Sequence, residues 1–124
     1  MGSNAILEKS KAFALRVIKL YQYLTDEKKE YVLSKQLLRS GTSIGANTRE
    51  AMRGQTKPDF YYKLNIALKE ADESAYWLEL LHESKFMDKE QFNSMYADCD
   101  EIMSLLVSIT KTQKKSYKSG EDME

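Results

Sequence analysis

Apolar residues recur every three or four positions through most of this chain, and that spacing predicts helices rather than strands. In the first helix, near Ala5 to Leu24, Ile6, Phe13, Val17, Leu20, Tyr21 and Leu24 share one face. The second, near Glu27 to Arg53, presents Tyr31, Leu37, Leu38, Ile44 and Ala51. The third runs to about Glu83 with a broad stripe of Phe60, Leu64, Ala67, Leu68, Ala71, Ala75 and Leu78. The fourth, Lys89 to about Thr112, carries Phe92, Met95, Tyr96, Cys99, Met103, Leu106 and Thr110 on one side. Residues 114–124 are polar and read as a disordered tail, which leaves residues 1–113 as one domain. Long helices with short connections give an all-α fold, an antiparallel up-down-up-down four-helix bundle.

The breaks between these stretches carry their own chemistry. Thr25-Asp26 reads as a cap for the second helix, because a short side-chain oxygen accepts from free first-turn amides. Gly54 suits the left-handed residue that ends a helix. Thr56 caps the third helix, with Pro58 in a first turn where its missing N–H costs nothing. Asp88 and Gln91 form a reciprocal capping box, and Met87 with Phe92 has the spacing of a hydrophobic staple. Gly41 and Gly45 lie inside the second helix, one turn apart on one face. Each costs roughly 1 kcal/mol against alanine, so their use predicts a continuous helix that another helix approaches closely.

Composition narrows the field further. The 124 residues hold 19 basic and 19 acidic side chains, a neutral balance unlike that of a wholly basic nucleic-acid-binding domain. The single cysteine, Cys99, excludes an internal disulfide and fits a reducing cytoplasm. No apolar run reaches the ~18 residues of a membrane span, and Met1 to Ala5 lacks the regions of a signal peptide.

No catalytic constellation emerges, and the chain reads as a non-enzyme with no cofactor, metal or evident small-molecule substrate. Glu79-x-x-His82 matches half of a carboxylate-bridged di-metal site, but His82 is the only histidine, and one near a helix end more commonly meets the last carbonyls. Cys99, flanked by Asp98, Asp100 and Glu101, lacks the electropositive setting of a nucleophilic thiolate and reads as a small buried hydrophobe. Neither a phosphate-cradling loop nor a nucleophile elbow is present. The third helix offers the sharpest signal. Tyr62, Ile66, Trp77 and Leu80 form a second apolar stripe opposite the first, with Glu73 inside it, and a helix with one wet face should not carry two. That stripe predicts a subunit interface and a homo-oligomer.

Two long segments resemble a known family. Ser34-Lys35-Gln36-Leu37-Leu38-Arg39-Ser40-Gly41-Thr42-Ser43-Ile44-Gly45-Ala46-Asn47 resembles the central motif of the bacterial 23S rRNA-intervening-sequence proteins. Residues 63–81, from Lys63 to Leu81, resemble their second motif, and Ser10 to Arg16 their start. Thr48 stands where an aliphatic residue is commoner, and Ser74 where threonine is. The resemblance implies a cytoplasmic four-helix bundle that assembles as a homopentamer. With the place of Glu73 among apolar neighbours, it also implies a polar network of Asn47, Arg49, Glu50 and Glu73 between the second and third helices. A more distant similarity, to the accessory variability protein of diversity-generating retroelements, implies a basic pentamer that binds nucleic acid and a reverse transcriptase. The zero net charge departs from that pattern.

The expected function is therefore an oligomeric helical scaffold whose partner is RNA or a nucleic-acid-binding protein, with a protein–protein adaptor as the alternative. Any RNA contact is expected at the one concentration of positive charge, on the first helix and the end of the fourth. Those residues are Lys9, Lys11, Arg16, Lys19, Lys111, Lys114 and Lys115.

Overall fold

The computed structural model describes the backbone of residues 2–123 and the side chains of residues 4–112. Four helices follow one another: α1 (Gly2–Asp26), α2 (Leu33–Met52), α3 (Lys57–Glu83) and α4 (Lys89–Met123). Each packs on the next, and α4 closes against α1. The α2–α3 seam is the tightest and the α1–α4 seam the most open. The core runs along the axis through Ile6, Phe13, Val17, Leu37, Ile44, Leu64, Leu78, Leu81, Ile102 and Leu106, all essentially inaccessible to water. Backbone of α4 continues as helix to Met123, past the expected end near Thr112. The side chains of the polar tail expected at 114–124 lie outside the described residues.

Local signals set several helix ends. Thr56 accepts the Asp59 N–H at 3.2 Å ahead of Pro58. Asp88 and Gln91 exchange both capping-box bonds, at 2.8 and 3.0 Å, and Met87 is buried beside them. α3 ends with the Phe86 N–H on the Leu81 carbonyl and the Lys85 N–H on the His82 carbonyl. This is the bond pair of a left-handed helix end, with Lys85 at φ 71°.

The structure corrects three further expectations at the ends of α2 and α3. First, α2 begins at Leu33, so residues 27–32 are a loop in which Tyr31 is exposed rather than part of an apolar helix face. Thr25 does not cap α2; it lies inside α1, its hydroxyl on the Tyr21 carbonyl at 2.9 Å. Glu30 does the capping instead. Its carboxylate accepts from the amides of Val32 (3.0 Å), Leu33 (2.9 Å) and Ser34 (2.6 Å). Burial pushes this carboxyl up, yet the three amides outweigh that effect and hold it below the ordinary range. Second, Gly54 has no positive φ. A Cβ there would lie 3.1 Å from the Phe60 amide nitrogen and 3.2 Å from the Ala51 carbonyl, so closeness of backbone, not handedness, favours glycine. Third, His82 leaves the helix carbonyls alone and stacks on Phe92, centroids 4.4 Å apart at 14°.

α2 is continuous through both interior glycines. A Cβ on Gly41 would sit 2.8 Å from a methyl of Val17, whereas one on Gly45 would meet the Ser10 hydroxyl at 3.4 Å. Gly41 is thus the tight crossing of α1 and α2.

Candidate interaction surfaces

Small polar residues bring α2 and α3 together. The buried hydroxyls of Ser40 and Ser74 lie 2.8 Å apart, and Ser74 also donates to the Glu70 carbonyl. Thr48 is fully buried about two turns further along α2, its hydroxyl satisfied by the Ile44 carbonyl at 2.8 Å. None of these three polar side chains is therefore left without a partner in the core.

Just outside this seam the Arg39 guanidinium lies between Glu70, at 3.2 Å, and Glu73. The Trp77 indole N–H donates to the same Glu73 carboxylate at 3.0 Å. That bond, and then Arg39, hold the Glu73 carboxyl below its ordinary value against partial burial. Half of the Arg39 side chain remains in contact with water, so the pair is screened and contributes at most about 1 kcal/mol.

The network drawn from sequence thus has Glu73 in it but different partners. Asn47 bonds back to the Ser43 carbonyl of its own helix, Glu50 pairs with Lys63 at 2.8 Å, and Arg49 is exposed on the other side of α2. Helical register decides this. Arg39 faces α3 across the seam, and Glu70 and Glu73, three residues apart, present two carboxylates to it.

The outer face of α3 carries the predicted stripe. Tyr62 is 65% exposed, and Ile66, Trp77 and Leu80 are half-buried. Trp77 leans on the core and on Tyr76, which is itself 53% exposed and was not foreseen. Ile66 and Leu80 lie outside the core cluster.

The basic stripe is changed most by folding. Lys9 pairs with Glu101 at 2.9 Å, and Arg16 reaches Asp98 and the Ser94 hydroxyl, all on α4. Two of the expected phosphate ligands are therefore already neutralised. Lys11, Lys19 and Lys111 are exposed, and Lys114 and Lys115 lie outside the described side chains.

Between α1 and α2 a cleft of about 500 Å³ opens. Leu7, Ala14, Gly45, Ala46 and Met52 line it, with Glu8, Lys11, Arg49 and Arg53 around it. On the opposite side of the bundle, Glu79 accepts from the Tyr96 hydroxyl at 2.9 Å, and Cys99 is buried with its thiol on the Ala71 carbonyl at 3.2 Å. Among the described residues no three His, Cys, Asp or Glu side chains converge as metal ligands, and no helix is long and apolar enough to cross a membrane.

The family model of the 23S rRNA-intervening sequence protein matches residues 3–108. A protein of unknown function from the S23 ribosomal protein family of Bacteroides thetaiotaomicron VPI-5482, known from a 1.70 Å crystal structure, is 54% identical. The match covers 90% of this chain and 99% of that one, with a TM-score of 0.88. No curated protein matches the chain.

Proposed function

Because the chain belongs to the 23S rRNA-intervening sequence protein family, we propose that it is a non-enzymatic, cytoplasmic homo-oligomeric scaffold whose copies meet across the outer face of α3. One observation carries this reading: Tyr62 and Tyr76 stand in water on a face where Ile66, Trp77 and Leu80 are not fully buried. Aromatic side chains on a rigid helix are effective interface anchors, since they bury much area for little conformational entropy. Five subunits is the number that the family resemblance implies. A ring of that kind needs a heterologous contact, in which the α3 face meets a different surface of the neighbour.

Of the two partner classes, protein is favoured over RNA. The α4 carboxylates that bind Lys9 and Arg16 would compete with phosphate, so only part of the predicted stripe offers free charge.

Light scattering at micromolar concentration tests the assembly. The parent should have a mass near five times the 14.4 kDa subunit, and Tyr62→Glu with Tyr76→Glu should shift it to the monomer. A monomeric parent overturns the scaffold, and an undisturbed oligomer in the double variant removes α3 as the interface. Retention of RNA at low salt, lost steeply as salt rises, would restore the RNA reading.

A further inference from the structure

We propose that the α1–α2 cleft is a docking groove for an acidic amphipathic helix of a protein partner, a role that goes beyond self-assembly through α3. The cleft exists because small residues occupy the places where side chains would otherwise close it. Ala14 on α1 and Ala46 on α2 place only short side chains between Leu7 and Met52, while at Gly45, whose Cβ would touch Ser10, the two helices are already in contact beneath the cleft. Its volume, about 500 Å³, lies within the ~300–1,000 Å³ of sites that enclose several apolar groups. Two antiparallel helices flanking an apolar floor form the groove into which an amphipathic helix lays anchors at helical spacing.

Charge selects the partner. Lys11, Arg49 and Arg53 surround the cleft, and among the described residues none of them has a carboxylate within ion-pair distance. Glu8 is the only acid among the described lining residues. This contrasts with Lys9, Arg16, Arg39 and Lys63, each bridged to an acid of this chain. An occupant that places carboxylates against the three free cations and aliphatic side chains on the floor complements both features.

Other occupants fit less well. Single-stranded RNA binds through aromatic stacking platforms, and no aromatic side chain is among the described lining residues. A second copy would offer the outer face of α3, where exposed Lys69 stands between Tyr62 and Tyr76 at seven-residue steps and Glu73 is already paired with Arg39, a poorer match to the cations than free carboxylates.

The test uses the full chain and designed helical peptides of about 18 residues, long enough to hold a helix. One peptide has a leucine face flanked by glutamates; its control has lysines in place of the glutamates. A fluorescein label reports binding by anisotropy. The acidic peptide should bind saturably and about tenfold or more tighter than the basic one. Arg49→Glu with Arg53→Glu should reverse that preference, and Ala46→Trp, at the exposed mouth, should weaken both peptides. Circular dichroism confirms that each variant is folded; Arg49, Arg53 and Ala46 are all exposed in the subunit.

Absence of saturable binding by the acidic peptide overturns the proposal, as does a charge preference that survives the reversal. Light scattering separates this from the α3 reading. The Arg49/Arg53 variant should keep the parental mass whatever that mass is, and a fall in mass would make the cleft a subunit contact and overturn the partner assignment. A single-stranded RNA oligonucleotide that binds in place of the peptide, and is lost in the same variant, would overturn it in favour of RNA.

Discussion

Alanine at Gly41 and alanine at Gly45 should move stability in opposite directions, although the two sites are one turn apart on one helix. At Gly41 the new methyl carbon would lie 2.8 and 3.0 Å from the two methyls of Val17. Val17 is fully buried and β-branched, so it has little rotamer freedom with which to yield. Overpacking of this kind costs about 1–3 kcal/mol. The helix itself gains roughly 1 kcal/mol from losing a glycine. The net for Gly41→Ala is a loss of up to about 2 kcal/mol.

At Gly45 the nearest atom to the new carbon is the Ser10 hydroxyl at 3.4 Å, an ordinary contact, so propensity dominates. Gly45→Ala should therefore gain about 0.5–1 kcal/mol. Urea unfolding at one fixed protein concentration measures both, the fixed concentration being needed because assembly adds to apparent stability. Val17→Ala supplies the control. Alone it should destabilise by roughly 2 kcal/mol through lost burial and a cavity. In its presence Gly41→Ala should become stabilising, because the two closest contacts are gone, only the residue-17 Cβ at 3.3 Å is left, and the propensity gain remains. Equal shifts for the two glycine variants, or no change of sign in the Val17→Ala background, would refute the assignment of Gly41 as the tight crossing.

Two further outcomes follow from buried groups. Glu30→Gln should cost about 1–2 kcal/mol at neutral pH, since one carboxamide oxygen cannot serve the amides of Val32, Leu33 and Ser34 together. The folded-state carboxyl is held low, so its contribution is complete above the unfolded value and is lost as pH falls through the folded one. Acid titration of both proteins should thus show the difference shrinking below the ordinary carboxylate range; a constant difference would remove Glu30 as the cap. The Cys99 thiol, pushed up to about 12 by burial and then by neighbouring aspartates, should resist iodoacetamide at pH 8 until the protein is unfolded in urea. Labelling of the native protein at the rate of a free thiol would contradict that burial.

Much of this bundle was legible in the chain because the relevant forces act over one or two turns. Helical spacing of apolar residues marked the core faces of α1, α3 and α4. The Thr56 and Asp88–Gln91 caps bind amides three residues away, so their geometry is fixed wherever the helix forms. The paired glycines signalled a close crossing, since only a close approach explains two small residues in mid-helix.

What the sequence left open depended on which residues stand opposite one another. Glu30 became a cap only once the chain reversed after α1, with its own amide bonded back to the Leu24 carbonyl at 2.9 Å. Lys85 took the left-handed backbone that the glycine rule assigned to Gly54, because the turn must deliver Phe86 and Met87 to the core. Arg39, not Arg49, met Glu73, and Lys9 and Arg16 lost their free charge to Glu101 and Asp98. Spacing within one helix says which residues share a face. The rotation and rise of the neighbouring helix are set by core packing over the whole bundle, and only these decide which charges meet and where a cleft stays open.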